Sequence, residues 1–156
     1  MSGGRASLST LASGIRAELA PIAEPQEAMT RVVARLKASV PRYTWVGIYL
    51  LHGDELVLGP YLGKPSPHTR IPLGRGICGA AATEKTTIIV DDVNADVRYL
   101  ACSIETKSEI VVPIMRDGDV FGEIDIDSDQ HAAFGAADRA LLEPVAALLA
   151  DRLSED

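Results

Sequence analysis

Two cysteines are the only thiols in the 156-residue chain: Cys78 in GRGICGAAAT (74–83) and Cys102 in VRYLACSIETKSEIVVP (97–113). Such a pair can be buried packing, a structural bridge or a working redox couple. Cys78 follows Gly74-Arg75-Gly76 at a predicted helix start, where the helix dipole would lower a thiol's pKa. Cys102 falls in a predicted loop just before an acidic strand, within reach of that strand's face. The three histidines, His52, His68 and His131, have no metal-type spacing with the cysteines. The glycine-rich stretch lacks the G-x-x-x-x-G-K-[ST] pattern of a phosphate loop. There is no G-x-S-x-G element and no Ser-His-Asp set.

The second group that could do chemistry is a set of carboxylates, Glu109, Asp125 and Asp127, and its meaning depends on strand register. SEIVVPIMR (108–116) and DVFGEIDIDS (119–128) read as a hairpin. Ile110, Val112 and Ile114 occupy even positions of the first strand, Val120, Ile124 and Ile126 even positions of the second. A one-residue slip would set Ile110 against Asp125 and mix core with carboxylates. A three-residue turn, Asp117-Gly118-Asp119, instead pairs Ile110 with Ile126 and Val112 with Ile124, and places Glu109 opposite Asp127 and Val111 opposite Asp125. Burial of several side chains outweighs the Asp-Gly turn signal, so this register is expected, with Asp119 left-handed. It gathers Glu109, Asp125 and Asp127 on one face, where opposed carboxylates raise one another's pKa. Such a face is either a solvated outer surface or a site that binds a cation or keeps one carboxyl protonated.

Helices must hold this sheet from the two ends of the chain. Leu8, Leu11, Ile15 and Leu19 predict a helix over 6–20, and Met29, Val32, Val33 and Leu36 a second over 26–39, ended by Pro41. Strands are predicted at 43–51, 55–62, 69–73 and 86–90, a short helix at 76–84, a loop at 91–106 and a last helix at 136–153. Helices at the ends with strands between them predict an α+β fold, a mostly antiparallel sheet with helices packed on it.

Apolar residues make up 47% of the chain and charged ones 24%, a globular composition for one domain. The formal charge of −7 argues against nucleic-acid or anionic-membrane partners. No apolar run approaches the roughly 20 residues of a membrane span, and the N-terminus shows no signal-peptide core. The expected location is cytoplasmic and reducing, where a permanent disulfide is unusual.

The run WVGIYL, LVLGPYLGKP, RIPLGRGICGAA, DDVN, LAC, KSEIVVPI and GEIDIDS resembles a GAF domain, and more closely the free methionine-(R)-sulfoxide reductases, a single-domain GAF family. The resemblance covers about Tyr43 to Leu149. It implies an antiparallel sheet flanked by helices, a single domain over 1–156, and a homodimer to which the 1–22 helical extension could contribute. It implies Cys102 as the catalytic thiol and Cys78 as a cysteine able to form a disulfide with it. It also implies Glu109, Asp125 and Asp127 as the acidic substrate-binding and catalytic set, and Trp45 and Tyr49 as pocket aromatics. His68 stands where many members carry a third cysteine, Ser103 replaces the usual Asp, and VRYL departs from the usual Gly-His-Ile. The implied activity reduces free L-methionine-(R)-sulfoxide through a sulfenic acid and an intramolecular disulfide, with a thioredoxin-type reductant and no metal or organic cofactor. Two other functions suit the same residues: a non-catalytic small-molecule or redox sensor, and a metal-binding domain built on Glu109, Asp125 and Asp127.

Overall fold

Apolar residues at helical spacing, punctuated by proline, set the two N-terminal helices. The computed structural model describes residues 3–99 and 105–154, and of residues 3–7 the backbone. α1 (Gly3–Leu19) buries Leu8, Leu11, Ile15 and Leu19. α2 (Pro25–Ser39) has proline in its first turn, and the Glu24 carboxylate accepts from the N–H groups of Gln26 and Glu27 at 3.0 and 2.7 Å. These donors have no partner inside the helix, so the cap stabilises its start. Val40 is extended, as expected of a residue before proline.

β1 (Trp45–His52), β2 (Glu55–Leu62), β3 (Arg70–Pro72), β4 (Ile88–Val90), β5 (Ser108–Arg116) and β6 (Asp119–Ser128) form an antiparallel sheet in the order β3-β2-β1-β6-β5-β4. α3 (Gly76–Glu84) links β3 to β4, and α4 (Ala136–Leu153) follows β6. The α+β architecture is the one expected. Its two faces bury different things. Ile110, Val112, Ile114, Ile124 and Ile126 point into a large core shared with α1, α2 and α4. The opposite face carries Trp45, Tyr49 and Val111 into a smaller core under α3, with Ile77, Cys78, Ala81 and Ala82.

The β5–β6 hairpin has the expected register, reached by a different device. Ile110 pairs with Ile126, Val112 with Ile124, Glu109 with Asp127 and Val111 with Asp125. The turn, however, is the two-residue Asp117-Gly118 one: both residues have positive φ, 53° and 83°, and Arg116 pairs with Asp119. This is the conformation that suits a tight hairpin between twisted strands. Pairing then jumps from Met115↔Val120 to Ile114↔Gly122, leaving Phe121 as the extra residue of a β-bulge. The favoured turn and the favoured register are thus both satisfied, and the left-handed residue is Asp117 rather than Asp119.

Asp138, 3% exposed, ties the first turn of α4 to the entry of β1. Its carboxylate accepts from Tyr43 Oη at 2.5 Å, from the Gly135 N–H at 2.9 Å and from the Arg42 guanidinium. Burial, then the Asp138 partnership, pushes the Tyr43 phenol far above its ordinary pKa. Removing a carboxylate so placed strands several donors. Asp138→Ala is expected to lower the unfolding free energy by about 3 kcal/mol, measured by urea denaturation.

Candidate active site

The site is laid out by three neighbouring strands. Across β1, β6 and β5, Trp45, Asp127 and Glu109 form one row, Gly47, Asp125 and Val111 the next, and Tyr49, Glu123 and Pro113 the third. Alternation points these side chains to the α3 side of the sheet. Glu109, Asp125 and Asp127 are 4–5% exposed, which rules out the solvated outer face. Cys78, in the first turn of α3, sits over them and is a free, buried thiol. Cys102 and Ser103 lie outside the described residues.

Sequence reading missed Glu123, which is 0% exposed and lies beside Cys78. The signal was available, since Glu123 shares the two-residue alternation of Asp125 and Asp127. Glu109 partners both Asp125 and Asp127, and the Cys78 thiol joins this acidic face: one ligand atom each of Cys78, Glu109 and Asp125 lie within 4.8 Å of one another. Both carboxylate oxygens of Glu123, with Oδ1 of Asp125 and of Asp127, are buried with no hydrogen-bond partner among the described residues.

Burial governs how these groups hold protons. It pushes the Cys78 thiol well up, and Asp125, Glu123 and Glu109 add to the shift by repelling a thiolate. The lowering expected from a helix start is overridden, because a nine-residue helix cannot offset desolvation plus three acids. Burial, reinforced by the Asp125 charge, also holds Asp127 and Glu123 well above the usual carboxylate range. Asp125 is raised by burial too, against the pull of its Glu109 and Cys78 neighbours. A shift in this direction biases a carboxyl towards its acid form, from which it can donate a proton.

Trp45 is held from several sides. Its Nε1–H donates to the Lys64 carbonyl at 2.9 Å, and its ring stacks on Tyr61 with centroids 5.6 Å apart. A Cβ on Gly47 would lie 2.3 Å from the indole, so only glycine leaves the ring its place. Trp45 and Asp127 line a cavity of about 240 Å³ with Thr44, Ser66 and the Lys64–Glu105 ion pair. That is below the range for drug-sized ligands and suits a small molecule. Tyr49, whose hydroxyl donates to the His68 carbonyl at 2.7 Å, lines a second cavity of about 20 Å³ with His68, Cys78, Tyr99, Glu109 and Asp125. The two aromatics therefore serve adjacent parts of one face, and His68 stands at the same small cavity as Cys78.

Two outcomes follow. Folded-state carboxyls with raised pKa bind protons that the unfolded chain has released, so their stabilisation is full below about pH 4 and is lost as pH rises through the raised values. The stability these groups contribute is expected to fall as pH rises above the ordinary carboxyl range of about 4, and Glu123→Gln to flatten that slope by up to about 1.4 kcal/mol per pH unit, read from urea midpoints across pH. Gly47→Ala is expected to displace the indole of Trp45, the chain's one tryptophan, and to shift its fluorescence emission to the red.

The GAF domain profile matches residues 24–153. GAF domain-containing protein A of Dictyostelium discoideum is 41% identical over 122 residues, 78% of this chain and 76% of that protein. The free methionine-R-sulfoxide reductase of Saccharomyces cerevisiae is 45% identical over 109 residues, 67% of this chain and 60% of that enzyme. A solved structure of free methionine-R-sulfoxide reductase from Neisseria meningitidis, in complex with its substrate, superposes with a TM-score of 0.92 at 36% identity, covering 98% of this chain and 92% of that one. With a buried thiol over an acidic sheet face, and with these similarities running through the strands that build it, the chain belongs to the GAF domain family, in its free methionine-(R)-sulfoxide reductase branch.

Proposed function

We propose that this chain reduces free L-methionine-(R)-sulfoxide to methionine at the expense of a dithiol. The observation that carries the reading is the buried set of carboxyls, Asp125 and Asp127, whose pKa burial raises, packed with Glu109 and Cys78 between the sheet and α3. Sulfoxide reduction needs both an acid for the departing oxygen and a thiol for the sulfur. Similarity to enzymes named for this reaction supports the same assignment.

In the proposed course, the Cys102 thiolate attacks the sulfoxide sulfur while a carboxylic acid protonates its oxygen. The oxygen then passes to the Cys102 sulfur as the new S–S bond and the S–O bond to the substrate sulfur both break, so that methionine leaves reduced by two electrons and Cys102 is left oxidised as a sulfenic acid. Cys78 then attacks the Cys102 sulfur, releasing water and forming a disulfide, which a thioredoxin-type dithiol reduces. Burial favours the protonated form of Cys78, and the carboxyl that gave its proton to the sulfoxide oxygen, left as a carboxylate, can take the thiol proton when Cys78 attacks. Ionised members of the acidic set would hold the free α-ammonium group, and the cavity beside Trp45 the rest of the amino acid. A pocket this small favours the free amino acid over a residue within a chain. A homodimer and a cytoplasmic setting belong to the same proposal.

The test is methionine release from free L-methionine-(R)-sulfoxide. Cys102→Ser is expected to fall to background with any reductant. Cys78→Ser should keep turnover with dithiothreitol and lose it with thioredoxin. Asp127→Asn should cost about 10²–10⁴-fold in turnover, the scale of lost general acid catalysis. Activity should decline as pH rises through the raised carboxyl range, because the acid must be protonated. No turnover by the folded, reduced chain would overturn the proposal in favour of a ligand sensor.

A further inference from the structure

Glu123 has no task in the reaction just described, yet it lies where the chemistry is. It is 0% exposed, neither of its oxygens has a hydrogen-bond partner among the described residues, and it lies against the Cys78 thiol. A carboxyl buried without a donor costs stability, and a cation is the partner that would satisfy it. Around the same thiol, one atom each from Cys78, Glu109 and Asp125 lie within 4.8 Å of one another. Bonds of about 2.0–2.3 Å in a tetrahedral zinc site set adjacent ligand atoms about 3.3–3.8 Å apart. A small inward movement of these three side chains would therefore close a ligand set, and Glu123, outside that group but against the Cys78 thiol, would have to turn towards it to become the fourth member.

We propose that Cys78, Glu109, Asp125 and Glu123 form a site for one divalent cation of the zinc class, and that the bound cation inhibits the reductase. The donor set selects the ion: a thiolate suits zinc or cobalt and is a poor ligand for magnesium or calcium, which take oxygen ligands. Four protein ligands leave no open position, the arrangement of a closed site rather than a catalytic one. The inhibitory part rests on the proposed reductase activity, because the cation would withdraw Cys78, Glu109 and Asp125 from it. The site itself does not depend on that activity.

The experiment is an anaerobic cobalt(II) titration of the reduced chain, read by thiolate-to-cobalt charge-transfer absorption and the visible bands of four-coordinate cobalt. One equivalent should saturate the signal. The charge-transfer band should vanish in Cys78→Ser and persist in Cys102→Ser, and Glu123→Gln should weaken cobalt binding at least about tenfold. Zinc should block methionine release by the wild type, with Glu123→Gln needing at least about tenfold more for the same block. No thiolate band in the wild type, a band that follows Cys102, or full affinity in Glu123→Gln overturns the site. A cobalt site that forms while zinc leaves methionine release untouched overturns the inhibition. Cobalt binding through Cys78 in a chain that releases no methionine supports the site and overturns the reductase reading instead.

Discussion

Carboxyl groups and a thiol withdrawn from water on one face of a sheet are the constraint around which this fold is arranged. Glu109, Glu123, Asp125 and Asp127 occupy positions that a stability-driven sequence would fill with valine or isoleucine. Holding them there costs free energy, so stability must come from elsewhere. The opposite face provides it, with an isoleucine- and valine-rich layer sandwiched between the sheet and three helices. Along β5 and β6 the labour is divided residue by residue: even positions from 110 to 114 and from 124 to 126 hold the fold together, and odd positions 109, 123, 125 and 127 carry the acids. Each function is confined to its face because strand side chains alternate.

α3 is what turns an acidic face into a site. Without the helix above, the carboxylates would be solvated and would titrate normally. Its small residues let it lie close: a Cβ on Gly79 would stand 3.0 Å from the Gly74 nitrogen and 3.1 Å from the Pro72 carbonyl oxygen. That close approach folds the helix back on the turn that leads into it, where Gly74 and Gly76 take positive φ, 85° and 70°, and the Cys78 side chain meets Asp125 and Glu109.

Much of this was legible in the sequence, because periodicity survives folding. The end helices, the hairpin register and the convergence of Glu109, Asp125 and Asp127 all follow from alternation and helical spacing. What was not legible depended on which covering element lay above a given strand. Cys78 read as activated, since a helix start is a local feature, whereas the burial that reverses its pKa comes from strands about 30 to 50 residues later. Glu123 was passed over for a related reason: an acid on an alternating strand shows which face it takes, not whether that face is covered. The three-residue turn was the wrong choice for a further reason: a bulge lets turn preference and core pattern both be obeyed.

That bulge has a consequence for how the hairpin can vary. On the site side of Phe121 the even residues of β6 face the large core, but beyond it the parity inverts, with Phe121 packing against the large core and Val120 against the smaller one. The extra residue works as a phase joint between the hairpin tip and the acidic rows. A change of tip length by one residue, which in a regular hairpin would turn the carboxylates into the hydrophobic core, can be absorbed there by gaining or losing the bulge. The tip from Arg116 to Asp119 is thus decoupled from the chemistry, a stretch of surface that can be recoded without re-registering the site beneath it.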